Sequence, residues 1–180
     1  MSWIRAADPK AVPDARLEGG VPRNLLLALA VDPPAAEALL HAQRTLLPDP
    51  APLSAAQAEL IALVVCATNG CAYLVAHRGP RLAAALGDDA LARAVALDYR
   101  EANLTAQDRV LLDYAVALTC EPSERKQEDV ERLREYGFDD RAIVRCTALT
   151  ASWNAVSRAA CAFGLDLEPG VEPWSFGSQK

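Results

Sequence analysis

A chain of 180 residues, 52% apolar and 23% charged, is long enough to bury one core and short enough to need only one. Its formal charge of −6, with basic residues scattered among acidic ones, excludes a cationic face for nucleic-acid phosphates or anionic lipid. No run approaches the ~20 apolar residues that span a bilayer, and the opening MSWIRAADPK lacks the apolar stretch of a signal peptide. The expectation is a cytoplasmic protein with neither a membrane nor a nucleic-acid partner. Five cysteines at 66, 71, 120, 146 and 161, odd in number and widely spread, suit reduced thiols better than a disulfide framework.

Residues 1–22 carry Pro9, Pro13, Gly19, Gly20 and Pro22 with little periodicity, which predicts an irregular N-terminal arm. From 23 to 168, Ala and Leu dominate and no stretch alternates in the manner of a strand, so the domain is expected to be all-α, with roughly seven to eight helices. Asp32 before Pro33-Pro34 opens one helix, to about Leu47, and Ser54 with Gln57 forms a capping box for a helix to about Thr68. Asn69-Gly70 breaks the chain. A helix then begins near Cys71 and is expected to bend or stop at Gly79-Pro80, with Leu82 to Leu86 resuming it.

Downstream, Asp88 or Asp89 caps a short helix to about Tyr99, and Thr105 with Asp108 starts another through about Thr119. Lys126 to Tyr136 ends at Gly137, and Asp139 or Asp140 starts a last long helix that runs to about Phe163 before Gly164. Residues 169–180 read as an irregular C-terminal tail.

Chemistry concentrates in Asn69-Gly70-Cys71-Ala72-Tyr73-Leu74-Val75-Ala76-His77-Arg78-Gly79. A cysteine at a helix start meets unpaired N–H groups and the positive end of the dipole, so its pKa is expected to fall and its thiolate to become a nucleophile. A second thiol at i+3 would close a disulfide one turn away; that position is Leu74. A histidine at i+7 would shuttle protons; Arg78 stands there, and a guanidinium stays protonated. Glu59, twelve residues before Cys71, returns toward Arg78 if the two helices pack antiparallel, and a salt bridge is the expected outcome.

The frame resembles the alkylhydroperoxidase D (AhpD)-like branch of the carboxymuconolactone decarboxylase superfamily, in particular its peroxidase-related proteins. Glu59, Asn69, Gly70, Cys71, Tyr73, Val75, Ala76, His77 and Gly79 match the pattern of a Glu, eleven residues, then Cys-x-x-Cys-x-x-x-His; Leu74 and Arg78 replace its second cysteine and its histidine. The likeness extends over roughly residues 20 to 168. It implies an AhpD-like helical domain, a homo-oligomer, a small thiol or protein reductant as partner, and no cofactor or metal. In active relatives the second cysteine attacks peroxide, the first resolves it, and Glu with His moves protons. The resemblance therefore implies a thiol-dependent antioxidant oxidoreductase whose dithiol peroxide reduction is weak or lost. Cys71 and Glu59 carry over as catalytic positions, with Tyr73, Leu74, His77 and Arg78 in support.

Each of these residues has a plainer reading. Cys71 is a reactive thiol or a small packing residue, and exposure decides between them. Cys66 stands five positions before it, across a chain break that gives no dependable disulfide geometry. His77 falls off the Cys71 face and reads as a surface or supporting residue, while Tyr73 reads as core. Cys120, Cys146 and Cys161 have no metal-ligand spacing with one another or with His41. Asn154 and Arg158 form an i, i+4 pair suited to a cap or an inter-subunit hydrogen bond. The rival to an enzyme is a non-catalytic helical oligomer, or a small-ligand-binding protein, on the same fold.

Overall fold

A computed structural model describes residues 2–8 and 21–179, and these residues contain helices and no strand. Eight α-helices follow one another: α1 Arg23–Leu29, α2 Pro33–Leu46, α3 Ala55–Thr68, α4 Ala72–Leu86, α5 Asp89–Asp98, α6 Ala106–Cys120, α7 Gln127–Glu135 and α8 Asp140–Phe163. Most of the irregular arm expected over 1–22 lies outside the described residues. The polar signals set most of the helix starts. Asp32, Ser54, Asp88, Thr105 and Asp139 each accept from an N–H in the first turn of α2, α3, α5, α6 and α8, and Ser54 and Gln57 complete the capping box.

The apolar α3 is the axis of the domain. Residues 60–67 are all buried, because α3 packs against α4, α6 and α8 and leaves no face to water. That explains how a run such as Leu60-Ile61-Ala62-Leu63-Val64-Val65 forms a helix without amphipathic spacing. The short α1, not anticipated from the sequence, buries all of Leu25 to Leu29 and rests on α2.

Helix α4 departs from expectation at Gly79-Pro80. It runs unbroken through both to Leu86 and stops at Gly87 in the left-handed region, φ 68°. Proline deprives the Ala76 carbonyl of its helical donor, but packing against α3 on one side and α5 on the other holds the helix together. Gly79 serves a different purpose. A Cβ there would lie 2.2 Å from the indole of Trp174, so the missing side chain lets the C-terminal segment lie directly on the α4 backbone. The segment is well tied: Arg93 stacks on Trp174, Gly177 N–H donates to Ala96 O, and the Gln179 amide donates to Ala96 O and Leu97 O.

Candidate active site

The turn between α3 and α4 sets the first thiol in place. Gly70 takes φ 68°, a conformation that costs a residue with a Cβ, and Cys71 becomes the N-cap of α4 rather than its first helical residue. Its N–H donates to Cys66 O at 2.9 Å. The side chain is only 1% exposed. The expected fall in its pKa is reversed: the neighbouring thiol of Cys161 and burial raise it, and the Leu74 N–H is too small an opposing effect. Leu74, in the place of a second cysteine, is fully buried in the core.

Cys161 is what the sequence reading missed. It lies in the last turns of α8, exposed to solvent, with its thiol beside that of Cys71. The Cys71 thiol holds its pKa down to about 7 against the upward push of partial burial. A ladder of amide and hydroxyl contacts fixes the juxtaposition. The Asn69 amide donates to Asn154 Oδ1 at 2.9 Å and to Ser157 Oγ at 2.8 Å, so the residue two before Cys71 is clamped to the residue one turn before Cys161. Asn154 in turn donates to Thr119 Oγ1 at 2.9 Å and accepts from Arg158. The Asn154–Arg158 pair is thus part of an intramolecular brace between α8, α6 and the start of α4. One signal was available: 154, 157 and 161 share a face of α8, and the polar brace at 154 and 157 marks which face meets the motif.

Further along α4, Arg78 Nη1 lies 3.3 Å from Glu59 Oε2, and Arg81 Nε lies 3.2 Å from Glu59 Oε1. Arg78 is 1% exposed, with its guanidinium 5.0 Å above the ring of Trp153. Burial draws its pKa below the usual value and the Glu59 charge opposes that. Glu59 is mostly buried, as a carboxylate with two cationic partners can afford to be. Its outer side meets an open pocket of about 310 Å³ lined by Leu47, Ala55, Ala58, Arg81, Ala84 and Ala85. Both of its oxygens are thus engaged by guanidinium groups.

His77 and Tyr73 face a different carboxylate. Glu168, beyond the end of α8, accepts from His77 Nε2 at 2.7 Å, from Tyr73 Oη at 2.7 Å and from Asn24 N–H at 2.7 Å. Burial alone would raise the Glu168 pKa, but these donors outweigh it and hold the carboxylate at about 2. Tyr73 Oη also accepts from Leu25 N–H, and burial with the Glu168 contact pushes its pKa up. The cluster joins α1, α4 and the chain after α8. Cys66 and Cys146 are fully buried, and burial raises both pKa values, that of Cys146 to about 12. Among the described residues no group of three or more His, Cys, Asp or Glu side chains is arranged to hold a metal ion, and no helix is long and apolar enough to cross a membrane.

No protein-family model matches the chain, and no curated protein does. Solved structures do. A peroxidase-related protein of uncharacterised function from Silicibacter sp. TM1040 is 30% identical, with a TM-score of 0.81, covering 94% of this chain and 92% of its own. An alkylhydroperoxidase AhpD core, also an uncharacterised peroxidase-related protein, from Ralstonia eutropha JMP134 is 27% identical, with a TM-score of 0.84, over 93% of both chains. The debrominase Bmp8 shares the fold at a TM-score of 0.78 and 16% identity, over 93% of this chain and 92% of its own.

Proposed function

Because the chain belongs to the AhpD-like, peroxidase-related proteins, we propose that it is a thiol-dependent oxidoreductase that keeps Cys71 as a redox residue and has abandoned the group's proton relay. One observation carries this reading: the Asn69 hydrogen bonds to Asn154 and Ser157 bring the start of α4 against the end of α8, so that Cys71 has a second thiol as its neighbour. Two neighbouring thiols can exchange electrons as a disulfide. The relay is absent because Glu59 faces Arg78 and Arg81 where a histidine would be required. The oxidant in this reading is a hydroperoxide, and the reductant is a small thiol or a protein dithiol. Assembly as a homo-oligomer in the cytoplasm is part of the same proposal.

The test is hydroperoxide consumption by the pre-reduced full chain with dithiothreitol as electron donor, compared with Cys71→Ser. Slow turnover that falls at least tenfold in the variant is the expected result. Equal rates in the two proteins would remove Cys71 from any redox role and favour a non-catalytic helical protein on this fold.

A further inference from the structure

We propose that Cys161 and Cys71 form a dithiol–disulfide pair across α8 and α4, with exposed Cys161 as the thiol that meets the oxidant and buried Cys71 as the thiol that resolves it. The inference rests on the thiol-redox reading above and assigns its missing second sulfur. No sequence motif links the two positions; the fold brings them together.

Three observations carry the assignment. The two thiols are neighbours, each the largest influence on the other's acidity. The Asn69 amide bonds to Asn154 and Ser157, two turns and one turn before Cys161, so the placement of the two cysteines is a consequence of the brace between helices rather than of one side-chain rotamer. Finally, their exposures are opposite: Cys161 is open to solvent while Cys71 is 1% exposed. A peroxide therefore reaches Cys161 first. The asymmetry in acidity agrees, since the Cys71 thiol beside Cys161 stabilises the outer thiolate at a pKa of about 7.

The steps balance as follows. The Cys161 thiolate attacks the distal oxygen of a hydroperoxide; the O–O bond breaks, the alkoxide leaves and takes a proton as the alcohol, and Cys161 becomes a sulfenic acid. The Cys71 sulfur then attacks the Cys161 sulfur, losing its own proton as hydroxide leaves as water, and an S–S bond forms. An external dithiol restores both thiols by two exchanges and is itself oxidised to a disulfide. Cys66 is fully buried, with its backbone carbonyl turned to the Cys71 N–H, and takes no part.

Treating the reduced full chain with one equivalent of cumene hydroperoxide, then blocking free thiols and mapping peptides, decides the matter alongside turnover assays. Expected are a single Cys71–Cys161 crosslink, a fall in turnover of at least tenfold in Cys161→Ser, and a sulfenic acid trapped by dimedone on Cys161 in Cys71→Ser. A second oxidant, diamide, separates the two readings. If the wild type consumes no peroxide but diamide still links Cys71 to Cys161, the pair stands and the peroxide reading falls. Wild-type turnover retained in Cys161→Ser, or oxidation that never links these two residues with either reagent, overturns the pair.

Discussion

Helix α4 helps hold two carboxylates, and it holds them by opposite means. Glu59 is gripped by the guanidinium groups of Arg78 and Arg81, charges that persist at any ordinary pH. Glu168 is gripped by an imidazole, a phenol and a peptide N–H, and its own carboxyl group is the one whose acidity those donors shift. The first arrangement is a fixed ion pair, and the second is a latch on the end of the chain that depends on the charge of Glu168. Neither carboxylate touches the thiols.

The firmest way to break this contrast is Arg78→Ala. Removing one partner from a buried ion pair costs up to about 3–5 kcal/mol, Arg81 still pairing with Glu59 and so lowering that figure, and this change also empties the space beneath the Trp153 ring. Urea denaturation at fixed protein concentration reads the loss. The paired change Glu59→Leu with Arg78→Met should cost much less than Arg78→Ala alone, because no uncompensated charge is left behind. If the double variant is as damaged as the single one, packing rather than charge sets the cost.

A smaller effect is expected from Gly79→Ala, on the neighbouring face of α4. The new methyl would meet the Trp174 indole at 2.2 Å, so the C-terminal segment must shift, at a cost of about 1–3 kcal/mol. Limited proteolysis should then cut within 169–180 several-fold faster than in the wild type. Adding Trp174→Ala to Gly79→Ala should relieve the collision but not restore protection, since the stacking of Arg93 on the indole goes with it.

Much of this architecture was legible beforehand because caps and apolar content are local. Ser54 with Gln57, Thr105 with Asp108, and Asp139 mark starts of helices that form where they point. The proximity of Glu59 and Arg78 followed from antiparallel packing of adjacent helices and is present in the fold. What could not be read depended on distant parts of the chain. Cys161 meets Cys71 only because α8 crosses the start of α4, and Glu168 meets His77 and Tyr73 only because the chain folds back after α8. The acidity of Cys71 was misread for a related reason. A helix start favours a thiolate, but tertiary burial and a neighbouring thiol outweigh it. The stop allowed for at Pro80 does not occur, because the local cost of proline is visible in sequence and the packing that offsets it is not.

The conditional latch makes the most modest prediction, and its sign is fixed by the direction of the shift. The Glu168 carboxyl sits at about 2 when folded, below its ordinary value of 4.5. Its contribution to stability is therefore complete above pH ~5 and drains away as pH falls toward 2. Allowing for solvent screening of a part-exposed group, that contribution is about 1–2 kcal/mol. Glu168→Gln removes the titration while keeping the shape, so the variant should be less stable than the wild type at pH 6 and should converge with it near pH 2. Denaturation midpoints measured at intervals between those values test this. A constant difference between the two proteins across the range would mean that Glu168 acts through packing alone, and that the two carboxylates of α4 are held alike after all.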